Sequence, residues 1–487
     1  MHCQSSTDTI FNYLTSTVKR KVGAVAKYQQ LADKIIHDIQ SGKLPAGEKM
    51  LSLRRFAGQH SISVSTAVSC YDELASRGWL VARPQAGFFI ASPAREMSPP
   101  QWQPFISQLA DPHAYLPKSH TPTGLTGISQ LLIPESVSQQ LTKCFRRALS
   151  QQAGRLSSYP QTQGEPEFLS ALATHFSQSG FILTPDELVI THGCIDAVKT
   201  ALEVSTRPGD AVAVNSPCFL GLLELLSQME RPIVEIPTTA DGIDLDQFEQ
   251  LLQAGTVKAG LFSTTFMNPQ GITLSVAQKQ RLAQLANHYR IPVIEDDVYL
   301  ELSHQSGQPP LPAAYFDTQG YILWCGAITK SLSPAYRTGW CRPGRYIADY
   351  VKRCQGVPAL MQHALAEFIN SGHYARHLKQ ARTQLTLNMQ HFLKYFDAQL
   401  PAGTRVTHPE GGLVLWLQIP GFDARKLAAL AAQKDHYFIT GPLFTTSDRY
   451  RDCLRVNIGY PLNEAVEKEL AVLVELVWES LETVEVS

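Results

Sequence analysis

Apolar positions in the first ninety residues keep a helical rhythm three times over and then break into short β-prone runs. Leu31, Ala32, Ile35, Ile36 and Ile39 line one face of a helix over 28–41, leaving Lys34 and Asp38 to face water. Leu44, Pro45, Ala46 and Gly47 end it in a turn. Ser52 stands where it can cap a second short helix, LRRFAGQH. After SISVS a third helix carries Val64, Ala67, Val68, Tyr71 and Leu74 on one face. Ser65, Thr66 and Ser69 fall largely off that stripe, and Gly78 ends the helix. WLVARP and GFFI, parted by Gln85, Ala86 and Gly87, then predict a small hairpin.

From 92 to about 123 proline is frequent and no period lasts, which predicts a linker whose Trp102, Phe105 and Leu109 can dock locally. Beyond it the rhythm alternates. LVIT, AVAVNSP, PIVEIP, AGLFSTT, IPVIED and YILWC read as strands. Helical stretches near 165–180, 195–206, 219–229, 244–253, 276–289 and 343–370 separate many of them. Such alternation predicts an α/β body with a mostly parallel sheet covered by helices, its ligands beyond the carboxyl ends of the strands. The expected organisation is a small helical module with a wing over 25–92, a linker over 93–124 and a large body over 125–487.

Composition narrows the class without changing that picture. The 487 residues are 44% hydrophobic and 17% charged, a globular mixture too long for one core and unlike a disordered or collagenous chain. No apolar run approaches the roughly 20 residues that span a bilayer. MHCQSSTDTIFNYLTSTVKRK lacks the apolar core of a secretory signal. Nine scattered cysteines, with no CxxC and an odd total, fit a reducing cytoplasm better than a disulfide framework and give a metal site little support. The overall charge of −1 hides an asymmetry: residues 1–95 carry 12 Lys or Arg against 6 Asp or Glu, and the remainder 30 against 37. A basic module on an acidic body is compatible with DNA binding at one end only.

Three helices and a hairpin are the components of a winged helix-turn-helix. Small side chains at Ser65, Thr66 and Ser69 let the third helix approach base edges, while Arg54, Arg55 and Arg83 can meet phosphates and Gly87 permits a tight wing turn. The same arginines would also serve as the solvated surface of a small helical domain. In the body, YILWCGAITKSLSPAYRTGW sets Lys330 just past a hydrophobic strand and Arg337 seven residues on. A lysine amine forms an imine with an aldehyde cofactor, and a guanidinium with the Thr329 hydroxyl can hold that cofactor's phosphate. Asp296 in IEDDVY can face a pyridine nitrogen, and Asn268 in MNPQG can donate to a phenolic oxygen. Phe219 in NSPCFLG can stack on the ring. Backbone NH groups of Gly193, Cys194 and Ile195, at a helix start, can receive phosphate. Arg455 in DCLRVNIGYP suits a carboxylate. Taken singly, each has a plainer alternative: a solvated cation, an Asx turn, core filling or a structural salt bridge.

The run from Tyr28 to Ile90 resembles the GntR class of bacterial winged-helix repressors, with Met50-Leu51-Ser52-Leu53-Arg54 where that class usually has Leu-Pro-Ser-x-Arg. Residues 125–480 resemble the fold-type I, class I/II aminotransferases through SSYPQTQGEPEF, VITHGCIDAVKTAL, SPCFLG, NPQG, IEDDVY, TKSLSPAYRTGW, PEGGLVLWL and LRVNIG. That resemblance implies pyridoxal 5'-phosphate (PLP) as cofactor and a small α+β domain beside a large, mostly parallel α/β one. It makes Lys330 the Schiff-base lysine, Asp296 the pyridine-nitrogen partner, and Asn268 and Tyr299 the phenolic-oxygen contacts. Arg337 looks like the phosphate arginine and Arg455 the carboxylate receptor. Ala327 and Phe219 depart from a frequent Ser and Tyr, losing one hydroxyl each but not the imine-forming lysine.

A GntR-like head followed by an aminotransferase-like body resembles the MocR family of bacterial regulators. The likeness implies a cytoplasmic homodimer that binds double-stranded operator DNA, joins the nucleoid when bound, and senses PLP or an amino compound through aldimine chemistry at Lys330. The alternative is an active aminotransferase with an accessory DNA-binding domain.

Overall fold

The computed structural model describes residues 27–83, 86–91, 97–110, 124–152, 154, 157–239, 242–304 and 309–482. The chain divides into two compact units, Met1–Ala94 and Arg95–Ser487. In the first, α1 (Lys27–Gln40), α2 (Leu53–Gln59) and α3 (Val64–Ser76) precede an antiparallel hairpin of β1 (Leu80–Arg83) and β2 (Gly87–Ile90). Ala32, Ile35 and Ile39 of α1 meet Phe56 of α2, Tyr71 and Leu74 of α3, and Leu80 and Ile90 of the hairpin in one core. The Tyr71 ring lies 4.8 Å from Phe56 and 5.2 Å from Phe88, and its hydroxyl donates to the Leu51 carbonyl at 2.9 Å. The phenol is thereby buried without leaving a polar atom unmet.

Two details differ from the reading of the sequence. Val64 and Val68, expected on the buried stripe of α3, are 48% and 37% exposed. The stripe instead follows Ala67, Cys70, Tyr71 and Leu74, the i, i+3, i+4, i+7 set. Ser52 occupies the N-cap position of α2 but its side chain makes no capping bond, whereas Ser63 caps α3 by accepting from Thr66 N at 3.1 Å.

The second unit opens with β3 (Leu109–Ala110), α4 (Glu135–Gln151), α5 (Pro166–Gln178) and β4 (Val189–Thr191). Then come α6 (Cys194–Ser205), β5 (Val212–Ser216), α7 (Leu220–Gln228), β6 (Ile233–Thr239) and β7 (Gly242–Ile243). After these follow α8 (Leu245–Gln253), β8 (Ala259–Phe262), α9 (Val276–Tyr289), β9 (Val293–Asp296), β10 (Ile322–Ala327), the single turn α10 (Ile328–Ser331) and β11 (Gly339–Arg342). The strands lie in the order β3-β6-β5-β8-β9-β10-β11-β4, with β7 on β6. From β6 to β10 they run parallel, and β11 is antiparallel to both its neighbours. The mostly parallel sheet is as expected; the reversed interior strand is not. Residues 328–338 therefore return the chain by a short antiparallel connection rather than a helical crossover. Every residue of β5, β8, β9 and β10 is buried, which is why these strands read as continuous apolar runs.

The stretch 343–370, expected as one helical region, holds two helices, α11 (Ile347–Arg353) and α12 (Ala359–Asn370). Gly356 at φ +81° and Pro358 interrupt it. The smaller α+β part comprises α13 (His373–Gln399), β12 (Arg405–Val406), β13 (Val414–Gln418), α14 (Ala424–Gln433), β14 (Ile439–Thr440), β15 (Cys453–Asn457) and α15 (Glu464–Glu482). Its sheet is antiparallel, β12-β13-β15-β14. Leu454 and Val456 enter the core with Phe392, Leu415 and Leu470, so Cys453, Arg455 and Asn457 point to the opposite face of β15.

Much of the expected linker is docked on this unit. Met97 joins the small core, Trp102 packs with Trp416 and Phe444, the Phe105 ring lies 3.6 Å from the Arg449 guanidinium, and β3 pairs Leu109 with Val234 of β6. Among the described residues no helix is long and apolar enough to cross a membrane, and the cysteines are free thiols. Cys3 lies outside the described residues.

Candidate functional site

The carboxyl ends of four adjacent parallel strands converge on a cavity of about 170 Å3. Asn215 and Phe219 reach it from the end of β5, Ser263 and Asn268 from β8, and Asp296 with Tyr299 from β9. Thr329, Lys330 and Arg337 come from the β10–β11 connection, and Cys194 and Ile195 from the start of α6. Residues spread over 144 positions thus meet because neighbouring strands end side by side.

At one end the Lys330 ammonium donates to the Ser129 carbonyl at 2.6 Å. Burial, and then the Arg455 and Arg337 charges, bring its pKa down to about 8 against the opposing pull of Asp296. Asp296 accepts from the Cys194 thiol at 3.1 Å; burial raises its carboxyl above the ordinary range, while that thiol and the Lys330 charge oppose the rise. The Tyr299 hydroxyl pairs with that of Ser129, and burial pushes the phenol up to about 12. Arg455 reaches the cavity through Asn268, donating to its Oδ1 at 3.2 Å and to the Gly127 carbonyl, while its Nε is buried with no partner. Burial brings this guanidinium down to about 10.

At the other end Gly193 caps α6 at φ 96° and ψ 174°, and no side chain closes the helix start. That backbone region belongs almost solely to glycine. A Cβ there would stand 3.1 Å from Arg337 Nη2, whose hydrogen bond goes to the His192 carbonyl at 3.2 Å. The Thr329 hydroxyl is buried without a partner. Leaving it so costs about 1–3 kcal/mol. An unmet hydroxyl, a guanidinium and an uncapped helix start form a donor set that a phosphate ester fits. An amine, a carboxylate, an amide and an aromatic face at the opposite end fit an aldehyde-bearing pyridine.

Sequence reasoning missed several members. Gly127 and Ser129 hold the two cations through backbone carbonyls, which no residue type announces. Cys194 was read for its backbone NH, whereas its thiol also braces Asp296. Asn215 fastens two strand ends, donating to the Pro217 carbonyl at 2.9 Å and accepting from Ser263 N at 3.3 Å. A lone polar residue closing the buried run AVAVN was the available signal.

In the head, Arg54, Arg55, Ser65, Ser69 and Gly87 are exposed and Thr66 is half-buried. The hydroxyls of Ser65 and Thr66 each lie 2.8 Å from that of Ser63, so both are tied to the helix start. Gly87 sits at φ +98°. Arg83 closes β1, but its side chain lies outside the described part, as do Pro84 and Gln85.

The family profile for "Aminotransferase class I and II" matches residues 126–471, and that for "Bacterial regulatory proteins, gntR family" matches residues 27–90. The chain is 33% identical over 470 residues to the HTH-type transcriptional regulator YdcR of Escherichia coli strain K12, spanning 93% of this chain and 100% of that one. YjiR of the same strain is 29% identical over 477 residues, across 94% and 100% of the two chains. Among solved structures, the multiple substrate aminotransferase of Thermococcus profundus superposes with a TM-score of 0.67 at 23% identity, over 75% of this chain and 94% of that one. LysN of Thermus thermophilus, an alpha-aminoadipate aminotransferase complexed with N-(5'-phosphopyridoxyl)-L-leucine, gives 0.66 at 22% identity over 74% and 93%. At such identities these two structures speak for the fold, which is that of the fold-type I aminotransferases. A GntR head and an aminotransferase body, in one chain that matches HTH-type transcriptional regulators over 93% and 94% of its length, place this protein in the family of MocR-type GntR transcriptional regulators.

Proposed function

We propose that this chain is a DNA-binding regulator that holds PLP on Lys330 and takes PLP, or an amino compound that meets it there, as its signal. The observation that carries the reading is a single cavity lined by the Lys330 amine, the Arg337 guanidinium, a helix start and an unmet Thr329 hydroxyl, in a chain that also carries a GntR head. PLP, when bound, supplies an aldehyde that links reversibly to amines and a ring that withdraws electrons.

The protein's own groups have distinct tasks. Lys330, lowered to about 8, offers a free-amine fraction at neutral pH that an ordinary lysine lacks. Asp296 faces the ring nitrogen and keeps a proton on it, with Cys194 fixing the carboxylate's orientation. Asn268 and Tyr299 donate to the phenolic oxygen, and Phe219 covers one ring face. Arg337, Thr329 and the backbone NH groups of Gly193, Cys194 and Ile195 hold the phosphate. Arg455, with its free Nε, offers a donor to the carboxylate of an amino compound. Lys330, when displaced, has the Ser129 carbonyl to return to. In the head, Ser65, Thr66 and Ser69 face base edges, and Arg54, Arg55, Arg83 and Gly87 follow the backbone of an operator read by a homodimer in the bacterial cytoplasm. A signal follows only if the ligand binds two states of the protein with different affinity.

Borohydride reduction followed by mass spectrometry tests the covalent claim, and operator titration with and without PLP and candidate amines tests the switch. An adduct on Lys330, and DNA affinity or bend geometry that changes with ligand and is lost in Lys330→Ala, is expected. No adduct on that lysine in folded, PLP-saturated protein, or DNA binding indifferent to every ligand, would overturn the reading. A second reading, an active aminotransferase with an accessory head, draws on the lowered pKa of Lys330, which equips it to carry a proton as well as to tether. Rapid keto-acid-dependent turnover would favour it.

A further inference from the structure

The head keeps two valines of one helix out of its core. Val64 and Val68, at i and i+4 of α3, are 48% and 37% exposed, while Ala67, Cys70, Tyr71 and Leu74 fill the core. With Ser65 and Ser69, which are also exposed, they form one outward strip over the first two turns of α3. Stability does not account for them. A β-branched residue on an exposed helix face is a poorer helix former than Ala, Lys or Glu, and it leaves apolar surface in water.

The chemistry of the strip is narrow. From Ser61 to Tyr71 there is no charged residue and no Asn or Gln. In this stretch α3 therefore has no guanidinium or ammonium to pair with O6 and N7 of guanine, and no amide to pair with adenine. The hydroxyls of Ser65 and Thr66 are tied to that of Ser63, and a hydroxyl suits any base in any case. Asp72, exposed one turn beyond Val68, can accept from cytosine, but its charge is repelled by the phosphates that flank the groove. What is left to tell one base pair from another is apolar contact. In the major groove that contact has one specific target, the C5-methyl group of thymine.

We propose that Val64 and Val68 read thymine, each packing on a C5-methyl group in the major groove, so that preferred sites carry thymine under the first two turns of α3. The inference rests on the reading of the head as a DNA-binding module. DNA fits the strip better than a protein partner does, because the strip lies within the stretch that matches the gntR family and Arg54 and Arg55 of α2 are exposed cations of the same module. A methyl group covered by a valine contributes about as much as one buried CH2, or about fourfold in affinity per contact.

The test begins by selecting the preferred site from random double-stranded DNA with the full-length protein, with and without PLP. Each thymine of that site is then replaced by deoxyuridine, which removes only the methyl group. Fluorescence anisotropy reads affinity in the unaltered protein, Val64→Ala and Val68→Ala, and circular dichroism checks folding, which alanine at exposed helical positions preserves. At one or more thymines, uracil is expected to weaken binding by the unaltered protein about fourfold, and that loss should vanish in one of the two variants. An enriched site without thymine, affinity indifferent to uracil at every position, or a uracil penalty unchanged in both variants would overturn the proposal. If selection enriches no sequence, the operator reading fails and this inference falls with it. An enriched site that ignores the methyl group leaves that reading intact and sinks this one alone.

Discussion

Replacing Gly193 with alanine separates backbone strain from phosphate grip. Gly193 occupies φ 96° and ψ 174°, a region other residues enter at a cost of about 1–3 kcal/mol. The new Cβ would lie 3.1 Å from Arg337 Nη2 and 3.4 Å from Cζ, so the guanidinium must shift by some tenths of an ångström. Its side chain is exposed and held by a 3.2 Å hydrogen bond to the His192 carbonyl, and it yields before the sheet does. Misaligning one charge-assisted hydrogen bond to phosphate loses about 1.5–3 kcal/mol, or about 10- to 100-fold in Kd. Gly209 provides the control: it has φ +87° and nothing within 4 Å of an added Cβ. Urea unfolding reads stability and PLP titration by absorbance reads affinity. Gly193→Ala is expected to lose both, and Gly209→Ala only about 1–2 kcal/mol of stability. Unchanged PLP affinity in folded Gly193→Ala, or an equal loss in the two variants, would refute the idea that Arg337 and the α6 start hold the phosphate together.

Three further outcomes are expected. The rate of PLP attachment, followed by stopped-flow absorbance, should rise with pH about a midpoint near 8 and level off above it, because only the neutral Lys330 amine attacks; a midpoint near 10 would contradict the buried, cation-flanked environment. The folded pKa of about 8 lies below the ordinary 10.5, so the unfolded chain binds more protons between those values. Lys330 therefore destabilises the fold fully below pH 8, and stability recovers as pH climbs through that window. Glu301→Gln should cost about 2–3 kcal/mol in urea unfolding, since buried Glu301 accepts from His175 Nε2 at 2.6 Å and the Tyr374 hydroxyl at 2.5 Å. Burial works to raise its carboxyl, yet those bonds and the neighbouring charges hold it below the ordinary value, so its contribution is present at neutral pH and fades as pH falls through the acid range. Arg54→Ala should lower the slope of log affinity against log salt by about one and weaken operator and random DNA alike; a sequence-selective loss would show that Arg54 reads bases.

Periodicity was a good guide in the head and in the buried sheet, though it passed over the amphipathic helices α4, α14 and α15. It located the three helices and hairpin of the head, and the buried strands from LVIT to YILWC announced themselves as unbroken apolar runs. It failed where two faces compete, as at Val64 and Val68, whose β-branched side chains look like core but stand on the outer side of α3. It also missed α13, 27 residues long, whose buried positions include Tyr374, His377, Thr386 and Asn388 and so show no clean apolar stripe. In the cavity, the side chains with distinctive chemistry were legible, because Lys330, Asp296, Asn268 and Arg337 each follow a strand end. The backbone carbonyls of Gly127 and Ser129 and the Cys194 thiol bond were not, since they exist only once distant segments meet.

The reversed strand β11 has one more effect. By sending the chain straight back after β10, it mounts Lys330, Thr329 and Arg337 on a single eleven-residue peptide, while Arg455 belongs to the other sheet. On the proposed reading, three of the groups that would hold the cofactor thus share one short piece of covalent chain, whose spacing is set by the large sheet alone. On the same reading, the carboxylate of an incoming amino compound would be met by Arg455 from a different sheet, whose hydrogen bond to Asn268 is the thread by which its arrival would reach the cavity.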